Sequence, residues 1–103
     1  MERLMQYVWQ HRLWIQHDLT TVDGQRVSII DPGRLNTDSG PDFFNAKISI
    51  DGHLWVGDVE IHVKASDWHR HGHDGDPAYD SVILHVVDRD DTIIRRSNGE
   101  ALP

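Results

Sequence analysis

The chain opens with apolar residues at helical spacing. Met1, Leu4, Met5 and Val8 recur three and four apart, Trp9 flanks them, and no Gly or Pro interrupts residues 1–17. This stripe predicts one amphipathic helix. After His17 the period falls to two. Residues 19–22 and 26–30 flank Asp23-Gly24, a strong hairpin turn signal, and Asp31-Pro32-Gly33 ends the second arm. Residues 34–41 read as polar loop. A second hairpin spans residues 44–50 and 53–65 around Asp51-Gly52, with Phe44, Ala46, Ile48 and Ile50 expected on one face and a break or bulge expected at Gly57. Residues 66–80 read as loop, with at most one helical turn near Pro77. The nearly unbroken apolar run of residues 82–87 predicts a central strand buried on both faces. A short strand over residues 92–96 and an Asn98-Gly99 turn close the chain.

The expected fold class is therefore α+β, an N-terminal helix packed on a mainly antiparallel sheet of hairpins. The 103 residues suit a single domain. The last hairpin has only residues 100–103 as its return arm, so the chain is expected to be the N-terminal part of a longer protein. The strand at 92–96 would then offer an unpaired edge through which the chain could form a homo-oligomer.

Composition narrows the chemistry. With no cysteine, disulfides, thiolate zinc sites, iron–sulfur clusters and cysteine nucleophiles are excluded together. No apolar run approaches the ~20 residues a membrane helix needs, and the N-terminus lacks the form of a signal peptide, so a cytoplasmic protein without membrane association is expected. The formal net charge of −7 argues against a basic nucleic-acid patch, but a bound divalent cation would reverse the sign locally. No phosphate-binding glycine loop, dinucleotide fingerprint or nucleophile elbow is present.

Two constellations can carry chemistry. Pro41-Asp42 stands before the first arm of the second hairpin. On the return arm Asp58, Glu60, His62 and Lys64 alternate with Val59, Ile61 and Val63. Both Asp42 and Glu60 lie far from the Asp51-Gly52 turn, so pairing brings their carboxylates together. Such a pair suits Mg²⁺ or Mn²⁺, with His62 or Lys64 placed to polarise an attacking water or a phosphate. The competing structural reading is a turn-capping Asp42 and a solvated face of Asp58, Glu60 and Lys64. The second constellation is histidine. Eight of 103 residues are His, and His62, His69, His71, His73 and His85 fall in one stretch. In an extended segment His69, His71 and His73 share a side. With His62 or His85 they can build a three-ligand Zn²⁺ site, which Asp74 and Asp76 could support. Trp68 reads first as a core or loop anchor, with the rim of a site as the alternative, and His85, inside an apolar strand, reads first as a buried, hydrogen-bonded imidazole.

The pattern Pro41-Asp42 followed by Glu60-Ile61-His62 resembles the PD-(D/E)XK nuclease superfamily, whose core runs helix–strands–helix–strand. His62 stands where that pattern has Lys, and Lys64 is the nearest substitute. The resemblance implies a restriction-endonuclease-like core fragment, a metal-dependent phosphodiesterase and a nucleic-acid partner. The strings GPDFFNAKI, LWVGDVEIHVKASDW, HGH and VILHVV resemble a family of uncharacterised bacterial proteins, a resemblance that implies no activity. A non-catalytic β-rich interaction module is the alternative from a different class.

Overall fold

A computed structural model of the chain describes residues 2–11, 19–74 and 76–95. It is α+β: one N-terminal helix against a mixed, mostly antiparallel sheet of five strands. Helix α1 (Glu2–Gln10) buries Met5 and Trp9, one turn apart on the same face, and leaves Leu4 and Tyr7 exposed. The Trp9 indole donates to the Pro32 carbonyl at 3.0 Å, which ties the helix to the chain beyond β1. The helix was expected to reach residue 17. Its described extent stops at Gln10, and residues 12–18, with Trp14, lie outside the described residues.

The first hairpin is shorter than its pattern. The arms are joined by the isolated Thr20–Arg26 bridge, with the Val27 N–H to Leu19 carbonyl and Thr21 N–H to Gln25 carbonyl bonds, and residues 19–22 form no full strand. Strand β1 (Val27–Asp31) pairs instead with β3. Strand β2 (Arg34–Leu35) lies in the segment expected to be loop, and it pairs with the start of β3. Gly33 makes that path possible: its φ is +86°, and a Cβ there would come 2.6 Å from the Phe44 carbonyl oxygen.

Strands β3 (Phe43–Ile50) and β4 (His53–Lys64) form the second hairpin. Asp51 and Gly52 have φ of 49° and 83°, the double left-handed geometry that Asp-Gly turns favour. The expected inward face needs correction at one end. The β3–β4 register shifts between Phe43 and Ala46, with Asn45 at φ 57°. Phe43 rather than Phe44 therefore enters the core, followed by Ala46, Ile48 and Ile50. Strand β4 runs unbroken through Gly57. There a Cβ would lie 2.5 Å from Ile83 Cγ2, so the glycine serves close strand approach.

Strand β5 (Val82–Arg89) runs parallel to β4 and ends the strand order β1-β3-β4-β5. It is buried over Val82, Ile83, Leu84 and His85 as expected, but it is not central. Its two faces are covered by different packing. Ile83 and Leu84 join the main core with Met5, Trp9 and Ile61, while Val82 joins a smaller core with Ala65, Trp68, Tyr79 and Ile94. The connection from β4 to β5 contains helix α2 (Asp67–Arg70), unforeseen from the sequence, and a 3-10 turn (Pro77–Tyr79). Residues 92–94 form no strand, although Ile94 is buried, and Arg96 with Asn98-Gly99 lies outside the described residues. No helix among the described residues is long and apolar enough to cross a membrane.

Candidate metal centre

The β4 alternation sets two different environments. Val59 and Ile61 are fully buried in the main core. Asp58, Glu60 and His62 point to the other side and are also buried, so the solvated-face reading fails for Asp58 and Glu60. What covers them is the 66–81 connection. Asp58 is consumed structurally. Its carboxylate accepts the Asn45 N–H at 3.1 Å and the Ser81 hydroxyl, filling the β3 bulge and anchoring the start of β5.

Asp42 and Glu60 meet as the hairpin requires. The loop before Asp42 is held by Asn36, whose Nδ2 donates to the carbonyls of Ser39 and Pro41 and whose N–H donates to the Asp42 carbonyl. The Asp42 N–H donates to Glu60 Oε1 at 3.1 Å, and Asp42 Oδ2 accepts the Ile61 N–H at 2.9 Å. Burial, then the Asp42 charge and a side-chain hydrogen bond with Asp42, push the Glu60 carboxyl up to about 9. Glu2 of α1, which sequence reasoning passed over, is raised in turn by burial and by Asp42.

The histidines converge on the same carboxyl. His73 Nε2 lies 2.6 Å from Glu60 Oε2, and His62 Nε2 lies 3.3 Å from it. His62 Nε2 is also 3.0 Å from His71 Nδ1. The candidate ligand atoms of His62, His71 and His73 all fall within 4.8 Å of one another. Burial pushes His62 down to about 3, reinforced by His85 and His71, and lowers His73 as well. The 2.6 Å contact has the length of an ion pair, but burial works against both charges, raising the Glu60 carboxyl and lowering the His73 imidazole. His73 Nε2 is buried, and although it stands 2.6 Å from Glu60 Oε2 the contact lacks hydrogen-bond geometry. Around it, Tyr79 stacks on the His73 ring at 3.7 Å between centroids, and Trp68 stands edge-on to it at 5.3 Å. Tyr79 and Trp68 thus wall the site, with Trp68 buried as a core anchor rather than standing at the rim.

The remaining candidates fall elsewhere. His69 is exposed and pairs with Asp74 at 2.6 Å, because residues 67–70 are helical and the assumed extended alternation does not apply. Asp76 caps the 3-10 turn by accepting the Ala78 N–H. Lys64 is exposed at the end of β4; its N–H donates to Asp67 and its charge acts on Asp91. His85 stands behind His62, its Nε2 2.7 Å from His62 Nδ1, away from the three-histidine group. The sequence signal for joining the two candidate sites was the i, i+2 placement of Glu60 and His62 on one strand face.

The donor set fits a divalent ion. Three imidazoles, with the Glu60 carboxyl against two of them, offer the mixture that Zn²⁺ accepts readily and Mn²⁺ tolerates.

A family model described as a protein of unknown function, DUF2851, matches residues 2–103. The chain belongs to the DUF2851 family. No curated protein and no solved structure matches the chain.

Proposed function

We propose that this DUF2851 domain is a divalent-metal-dependent hydrolase acting on phosphodiesters, with its ion held by His62, His71, His73 and Glu60. The observation that carries the metal is the buried Nε2 of His73, 2.6 Å from a Glu60 carboxyl oxygen without hydrogen-bond geometry, beside two further imidazoles. Three imidazole ligands favour Zn²⁺ over Mg²⁺, with Mn²⁺ the intermediate case. A bound ion would supply an activated water and offset charge on a phosphoryl oxygen. Asp42 orients Glu60 through its N–H and completes an acidic pair able to take up a proton. Phosphodiester chemistry, with nucleic acid as the substrate class, is supported by element order. A helix precedes three main strands, a short helical connection and a parallel strand, with Pro41-Asp42 opening the second main strand and Glu60 on the third.

Calorimetric titration of the chelator-treated protein with Zn²⁺, Mn²⁺ and Mg²⁺ tests the centre. One ion per chain is expected, with Zn²⁺ tightest, and the His71→Ala variant should bind at least tenfold more weakly. Hydrolysis of bis-p-nitrophenyl phosphate by the loaded protein, lost in Glu60→Gln, tests the chemistry. No uptake at millimolar metal overturns the reading. A non-catalytic interaction module has one observation in its favour: Leu54, Trp55 and Val56 are 63, 47 and 56% exposed in succession on β4.

A further inference from the structure

The ion-binding arrangement places a demand on His62 that its own strand cannot meet. An imidazole ligates through a lone pair, and a neutral ring has one lone pair and one N–H. His62 Nε2 is the nitrogen that faces Glu60 and His71. Its proton must then sit on Nδ1, and a buried N–H needs an acceptor. His62 is completely buried, and its Nδ1 meets the Nε2 of His85 at 2.7 Å.

We propose that His85 is the positioning residue of the metal centre: its Nε2 accepts the His62 Nδ1–H and thereby directs the His62 Nε2 lone pair at the ion. This rests on the metal reading above and adds to it the residue that selects the ligand's tautomer. The rings of His62 and His85 stand nearly perpendicular, 87° apart with centroids at 4.9 Å. Trp68, with its ring centroid 5.0 Å from that of His85, crowds the imidazole on another side. Strand position enforces the geometry. His85 is the register partner of Glu60 across the parallel β4–β5 pair, so it reaches His62 diagonally from a backbone position fixed on both strands. If the bond ran the other way, with His85 donating, His62 would carry its proton on Nε2 and present an N–H to the ion. Partners of this kind typically alter metal affinity by about 10–100-fold when removed.

The test uses ring-nitrogen NMR of the metal-free wild-type protein together with Zn²⁺ affinities of two variants. His62 is expected as the Nδ1–H tautomer. The His85→Gln variant keeps an acceptor near the same place and should bind Zn²⁺ within a few-fold of wild type. The His85→Leu variant removes the acceptor and should bind about 10–100-fold more weakly. A wild-type His62 protonated on Nε2, or a folded His85→Leu protein with wild-type affinity, overturns the inference. Should His85→Leu fail to fold, the wild-type tautomer and His85→Gln still decide it. The Nδ1–H tautomer in a protein that takes up no ion would overturn the proposed function while leaving the His62–His85 bond supported.

Discussion

Asp42 and Glu60 clasp each other's strands. The Glu60 carboxyl accepts the main-chain N–H of Asp42, and the Asp42 carboxylate accepts the main-chain N–H of Ile61. Side chains thus extend the β3–β4 pairing one step beyond the Phe43–Val59 register pair, at the point where a metal would be wanted. Withdrawal from water is the largest cause of the raised Glu60 carboxyl and the Asp42 charge adds to it, while the Asp42 N–H of the clasp works the other way.

A stability maximum near pH 6.5 is expected for the metal-free protein. Glu60 is raised to about 9, so the folded state binds its proton more tightly, and that contribution is lost as pH climbs from 4.5 towards 9. His62 and His85 are lowered to about 3 and about 4, so they destabilise the fold as pH falls below 6.5. Between pH 4.5 and 6.5 the lowered imidazoles, His73 among them, outweigh the single carboxyl, and above 6.5 the loss of the carboxyl's contribution dominates. Each net proton contributes about 1.4 kcal/mol per pH unit at most. Urea midpoints measured across pH 4–9 should trace the maximum, and Glu60→Gln should flatten the alkaline limb.

Asp42→Asn should lower the Glu60 pKa without returning it to the ordinary carboxyl range, because burial remains after the charge has gone. Carboxyl-carbon NMR titration measures this directly. An unchanged value would mean that the Asp42 charge does not act on Glu60.

Gly57→Ala should destabilise the fold by about 1–3 kcal/mol. The new methyl would sit 2.5 Å from Ile83 Cγ2 and 2.9 Å from the Ser81 carbonyl oxygen, forcing β5 away from β4. Thermal unfolding checks the size. A normal melting temperature would show that Ile83 can move aside freely.

The two loop histidines His69 and His71 should behave differently towards metal. His71→Ala should remove most of the Zn²⁺-induced rise in melting temperature, while His69→Ala should keep it, since His69 is engaged with Asp74. Equal loss in both would move the site into the exposed part of the loop.

Much of this was legible in the pattern of residues. The Asp51-Gly52 turn, the alternation of β4 and the apolar run of β5 are local signals with a fixed geometric meaning, so helix, hairpin and fold class followed from them. The bulge at Asn45 was not legible, because it depends on the Asp58 carboxylate arriving from the other strand. The parallel pairing of β5 was hidden for a similar reason: burial reads as "central" whether the cover is sheet or loop. In the site, the Asp42–Glu60 meeting follows from hairpin arithmetic. The convergence of His62 and His73 on Glu60, with His71 against His62, required the turn after α2, which no periodicity announces.

That turn belongs to a crossover with an unusual economy. Parallel neighbours are commonly joined by a helix long enough to pack by its own apolar stripe. Here the regular structure amounts to four helical residues and a three-residue 3-10 turn. The segment is held to the sheet by Trp68, Tyr79 and the imidazoles instead. The side chains that hold it to the sheet thus stand around Glu60, so the crossover and the centre are expected to open and close together. Amide hydrogen exchange over residues 67–80 would then slow as a block when the centre is filled, making the occupancy of a few side chains readable along a whole stretch of backbone.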